Sequence, residues 1–137
     1  LLFLAILVAV AILLWRLEKR GKANRIEHAF AGRTPMDEQT FYEKYFKAQG
    51  IPVEVVVGVR RILEECLEAD FSRLTDEDDF SKDLRFFWDY DSMAAVMVIT
   101  DLEKEFAIEL SDDDTRDITT VRQMIEKVWE KVREKRV

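Results

Sequence analysis

The chain has 137 residues, 48% of them apolar and 36% charged, and carries a formal net charge of −7. The charge is split: residues 16–33 hold six Lys/Arg against Glu18 and Glu27, and residues 34–137 carry the remaining −11, which excludes binding to nucleic-acid phosphates. Cys66 and His28 are the sole residues of their kinds, so no internal disulfide, Cys-based metal cluster or Ser-His-Asp triad can form in the acidic part.

Leu1 to Trp15 is an unbroken apolar run, followed at once by Arg16, Lys19, Arg20 and Lys22. The run is expected to be a transmembrane anchor over 1–15. Its length of about 22 Å as a helix falls short of a ~30 Å hydrocarbon core, so residues upstream of Leu1 would have to lengthen it. A cleaved signal peptide is the main rival, but positive charge follows the run rather than preceding it, and no small-x-small cleavage site lies between Trp15 and Arg25. A buried helix of a globular domain is the third reading. The basic residues after the run place the following domain on the cytoplasmic side, with Trp15 near the interface.

Residues 16–35, with Gly21, Gly32 and Pro35, are expected to form a basic linker or a continuation of the first helix into water. Residues 36–50 hold a short amphipathic helix, Asp37 to Ala48, with Phe41, Tyr42, Tyr45 and Phe46 on one broad face. Those rings serve as packing against a bundle or, alternatively, as a lid for a bound chain. Gly50 and Pro52 end that helix.

A second helix is expected over Val53 to Ala69, apolar at 55, 59, 62, 63 and 66, with Cys66 as a core residue. Its Val-Val-Val stretch and Gly58 weaken helix propensity. Asp70 to Tyr90 is a long connection anchored by Phe71, Leu74, Phe80, Leu84, Phe86, Phe87 and Trp88. The acidic cluster 76–79 fails as a calcium loop, because Ser81 stands where the sixth-position Gly is needed and Phe87 where the twelfth-position Glu is needed. A helix from Ser92 to Phe106 follows, then an acidic helical turn beginning at Ser111. A final helix runs from Thr120 to Lys135, apolar at 121, 125, 128 and 132. Four such helical patterns predict an all-α bundle.

The chemistry concentrates at Asp91-Ser92-Met93, where a Ser stands at the entrance of a helix just after the long loop. With Leu102-Glu103-Lys104-Glu105-Phe106 closing that helix and Ile118-Thr119-Thr120-Val121 opening the last one, residues 51–135 resemble the acyl and peptidyl carrier protein family. The resemblance implies an all-α, acyl carrier protein-like bundle over 51–137, three main helices plus a short one. It also implies a covalent 4′-phosphopantetheine arm on Ser92, taken from coenzyme A, with Asp91 assisting transfer and Met93 in place of the usual Leu. A protein of that kind is not an enzyme; it carries an acyl group as a thioester for lipid or secondary metabolite biosynthesis. Its expected partners are a phosphopantetheinyl transferase and acyl-transferring or synthase enzymes.

The family places acidic residues two and five positions after the Ser, where this chain has Ala94 and Met97; Asp101 and Glu105 follow. These four residues are the expected partner face, suited to basic or apolar docking surfaces. The combined expectation is a membrane-tethered carrier with its domain in the cytoplasm. The alternative is a membrane-anchored interaction module that keeps the fold without the prosthetic group. A hydrolase using Ser92 ranks below both, for want of a nearby base.

Overall fold

The computed structural model describes residues 1–82, 84–87 and 93–136. Contacts group the chain into two units, Leu1–Gly32 and Arg33–Val137.

The first unit is one helix, α1 (Leu2–Ala29), so the apolar run and most of the basic segment are continuous rather than hinged. The Phe30 amide donates to the Ile26 carbonyl at its end, and Gly32 adopts a left-handed φ of +77. The apolar side chains of residues 1–17 are exposed on every side of the helix, from Leu2 to Leu17. The expected transmembrane helix is not found: no helix among the described residues is long and apolar enough to cross a membrane. The physical reason lies in the sequence, where Arg16, Glu18 and Lys19 end the apolar stretch after fifteen residues.

The second unit holds five α-helices among the described residues and no strand beyond an isolated bridge between Asp79 and Thr120. Helix α2 (Glu38–Tyr45) starts at Asp37, whose side chain accepts the Thr40 amide proton at 2.7 Å. That bond holds the Asp37 carboxyl below the usual carboxylate range. A 3₁₀ turn, Lys47–Gln49, ends on Gly50 in the left-handed region, φ 73, a conformation natural to Gly. Of the four aromatic side chains here, Phe41 and Phe46 are fully buried, while Tyr42 and Tyr45 are half-exposed. Phe41 and Phe46 serve as packing: the Arg60 guanidinium lies over Phe41 at 5.2 Å and that of Arg122 over Phe46 at 4.9 Å.

Helix α3 (Val53–Leu67) is the centre of the bundle, packed against α2, α4 (Ala94–Phe106) and α6 (Val121–Lys135). Val55, Val59, Ile62 and Leu63 face the core at helical spacing, and β-branching is tolerated because that face is buried. Cys66, expected in the core, is only partly buried. Leu67 takes the inward position, and the Cys66 thiol donates to Asp101 Oδ2 on α4 at 3.1 Å. Burial, then the Asp101 carboxylate, pushes the thiol up to about 12.

The long connection is no structureless span. Phe71, Leu74, Phe80, Leu84, Phe86 and Phe87 are all buried, and Phe71 and Phe87 meet at 5.3 Å between ring centroids. Trp88, the last expected anchor, lies outside the described residues. Two members of the acidic cluster, Asp76 and Asp78, are buried against arginines. Asp78 takes both terminal nitrogens of Arg33, at 2.8 and 2.9 Å, plus the Thr75 amide at 2.8 Å. Asp76 accepts two bonds from Arg122, whose Nη2 also donates to the Tyr45 carbonyl at 3.1 Å. Arg60, itself buried, donates to the carbonyls of Met36 and Asp37 at 2.8 and 3.2 Å. Three arginines thus join residues 33–46 to the bundle.

Helix α5 (Asp112–Arg116) is set by a capping box between Ser111 and Asp114, and α6 by another between Thr120 and Gln123. Asp114 is tied to α6 by Lys131 Nζ at 3.1 Å, and the Ser111 amide and Lys131 together lower its carboxyl to about 2. Lys135 Nζ donates to the carbonyls of Phe106 and Ala107, closing the end of α4.

Candidate functional site

Asp91 and Ser92 lie outside the described residues; the described chain resumes at Met93. Met93 holds the N-cap position of α4, makes no side-chain cap bond, and accepts the Met97 amide proton at 2.9 Å. The helix therefore begins two residues later than the expected Ser92.

Helical periodicity divides the first turns of α4 into two faces. Ala94, Val98 and Leu102 point into the bundle, at 3%, 1% and 0% exposure. Met93, Val96 and Met97 point out, at 57%, 53% and 45%. Ala94, expected on the partner face, is therefore an interior residue, because a small side chain lets α4 approach the core there. Of the other expected partner residues, Met97 is exposed, Glu105 is exposed lower on the helix, and Asp101 is half-exposed and engaged by Cys66. Val96 joins Met93 and Met97 to make a continuous apolar patch. Its position four after Ser92 could have identified it from helical spacing alone.

Beside this helix lies a cavity of about 560 Å³ between α4, α5 and α6. Phe80, Val98, Ile99, Leu110, Ile118 and Met124 line its apolar part, and Thr100, Glu103, Asp112 and Thr115 supply polar groups. Glu103 is fixed by the Leu110 amide, which donates to its Oε2 at 3.0 Å. Sequence reading missed this set, because its members come from the loop, three helices and two connections that are distant in sequence.

The site's chemistry suits a phosphodiester-linked arm. Among the described residues, the first turn of α4 holds no acidic side chain and its N-cap residue makes no side-chain cap bond, an N-terminus whose leading N–H groups suit a phosphate. The adjoining cavity accepts apolar matter with a few polar groups. Among the described residues no group of His, Cys, Asp and Glu could hold a metal ion.

Sequence comparison meets this geometry. Residues 58–128 match the family described as phosphopantetheine attachment site. An acyl carrier protein of Trieres chinensis is 40% identical over 68 residues, covering 50% of this chain and 80% of the relative. One from Rubrobacter xylanophilus is 32% identical over 77 residues, covering 56% of this chain and 90% of the relative. The chain belongs to the phosphopantetheine-bearing acyl carrier family. It is a carrier and not a catalyst, with a covalently attached 4′-phosphopantetheine, and proteins of this kind work with phosphopantetheinyl transferases and synthases.

Proposed function

We propose that this protein is a membrane-tethered acyl carrier whose arm is borne by Ser92, at the cytoplasmic face of the membrane. The observation that supports this attachment point is the start of α4 just after Ser92 in sequence: Met93 holds the N-cap position without a side-chain cap bond, and no acidic residue lies in the first turn. The arm supplies a terminal thiol on which an acyl group is held as a thioester. The chain's own residues do the rest. Leading N–H groups of α4 favour the phosphate, Asp91 assists the transferase, and Met93, Val96 and Met97 offer the enzyme partner an apolar docking face with Glu105 below it.

The tether rests on α1. Residues 1–15 are apolar around the whole circumference, and in water they would expose a continuous hydrophobic surface. A helix without a polar face does not lie flat in an interface; it enters the bilayer end-on. About 22 Å of such helix exceeds one leaflet of a ~30 Å core, which is enough to hold the chain in the bilayer. The cationic residues that follow keep the other end on the cytoplasmic side.

Intact mass after incubation with a phosphopantetheinyl transferase and coenzyme A tests the attachment. The expected result is a gain of one arm in the wild type and none in Ser92→Ala. An unmodified wild type across a panel of transferases would favour the interaction-module reading, and a gain that survives Ser92→Ala would move the attachment point elsewhere.

A further inference from the structure

We infer that α1 carries a headgroup-reading patch, Arg16, Lys19 and Arg20, that selects bilayers rich in anionic phospholipid. This inference rests on the membrane tether proposed above and adds a lipid preference to it. All three side chains are exposed and follow directly on the last apolar turn. At roughly 100° of rotation per residue they share an arc of about 100° of the helix surface, while Glu18 lies outside that arc. At 1.5 Å of rise per residue the three span about 6 Å along the axis, so an apolar end lodged in the bilayer places them together in the headgroup layer. Trp15 marks the boundary: the Lys19 ammonium sits 4.0 Å from the centre of its ring, an amphipathic pairing suited to an interface.

Charge decides the occupant. Three cations on one face, beside an apolar segment, complement phosphate-bearing headgroups of net negative charge. A second copy of the helix would bring the same three cations against them. Zwitterionic headgroups offer no net attraction, so the apolar segment alone would hold the protein there, without preference.

The test lets the full-length protein, released from detergent, distribute between two vesicle populations separable by density. One is pure phosphatidylcholine, and the other contains phosphatidylglycerol at about a third of its lipid. The expected outcome is an enrichment of about tenfold or more on the anionic vesicles, abolished by 0.5 M salt and by the triple variant Arg16→Gln/Lys19→Gln/Arg20→Gln, which still binds both populations. Equal distribution of the wild type overturns the headgroup preference and leaves the tether standing. A preference that survives in the triple variant overturns the assignment to these residues. Failure to bind either population, with or without self-association of the protein, overturns the tether and this inference together.

Discussion

Phe106 lies so close over Gly58 that a methyl group added at Gly58 would come within 2.7 Å of the ring's Cζ atom. Gly58 is inside α3, where Gly weakens a helix by roughly 1 kcal/mol relative to Ala, and here the missing side chain is what lets α3 and α4 close. Gly58→Ala therefore sets a propensity gain against overpacking of about 1–3 kcal/mol. The expected outcome is a protein less stable by about 1 kcal/mol in urea denaturation. In a Phe106→Leu background the same substitution should become neutral or stabilising. Stabilisation by Gly58→Ala alone would show that the ring swings aside freely.

The inward and outward faces of α4 should respond differently to charge. Ala94→Glu drives a carboxylate into the bundle and is expected to remove at least about 2 kcal/mol. Met97→Glu, on the exposed patch, should stay within about 0.5 kcal/mol of wild type. Thermal melts of the two variants check this directly. Equal damage from both would mean that the apolar patch is a packed surface and not a docking face.

Asp78, almost wholly buried, accepts two bonds from Arg33 and one from the Thr75 amide. Asp78→Ala strands those donors and is expected to lose about 3 kcal/mol. Asp78→Asn, which keeps an acceptor, should lose less. The ordering, read by chemical denaturation, is the point of the comparison: an Asn variant as damaged as Ala would show that shape is immaterial and only the charge counts.

The Cys66 thiol, raised from 9.0 to about 12, should be slow to alkylate at pH 8. Because the folded value exceeds the unfolded one, its contribution to stability is fully present below about pH 9 and fades as pH rises toward 12. Asp101→Asn removes the charge that disfavours the thiolate and should speed alkylation. Burial, the larger cause, remains, so the rate should stay below that of the unfolded chain. Rapid labelling of the native wild type would contradict this.

At the acid end Asp114 behaves in the opposite sense. Its carboxyl is lowered from 3.8 to about 2, so the contribution from its bonds to Ser111 and Lys131 is complete above pH 3.8 and is lost as pH falls toward 2. Asp114→Asn should flatten the acid limb of the stability profile between those values. An unchanged limb would mean that α5 is held by packing alone.

The helices were largely legible in the sequence because the information is periodic. Val53 to Leu67, Ala94 to Phe106 and Val121 to Lys135 each place apolar residues at helical spacing between recognisable ends. The capping boxes at Ser111 and Thr120 follow from the same local chemistry. The long-range relationships were not legible. Nothing local says that Arg122 reaches back to Tyr45, or that Leu110 and Phe80 line the same cavity as Ile99. Ala94 misled because its position after Ser92 was taken from the family pattern, whereas its burial follows from where α4 crosses the core. Cys66 misled because thiols are usually interior, and a neighbouring carboxylate offered it a partner at the edge.

The arginine clamps of Arg33, Arg60 and Arg122 also bear on where the protein can be cut. The homologous stretch opens at residue 58, well after Phe41 and Phe46 have entered the core. A fragment trimmed to that stretch would lose both rings and leave Arg60 and Arg122 without the carbonyls they engage. The smallest piece able to stand alone should therefore begin near Arg33, and expression designs based on similarity alone would cut through its foundations.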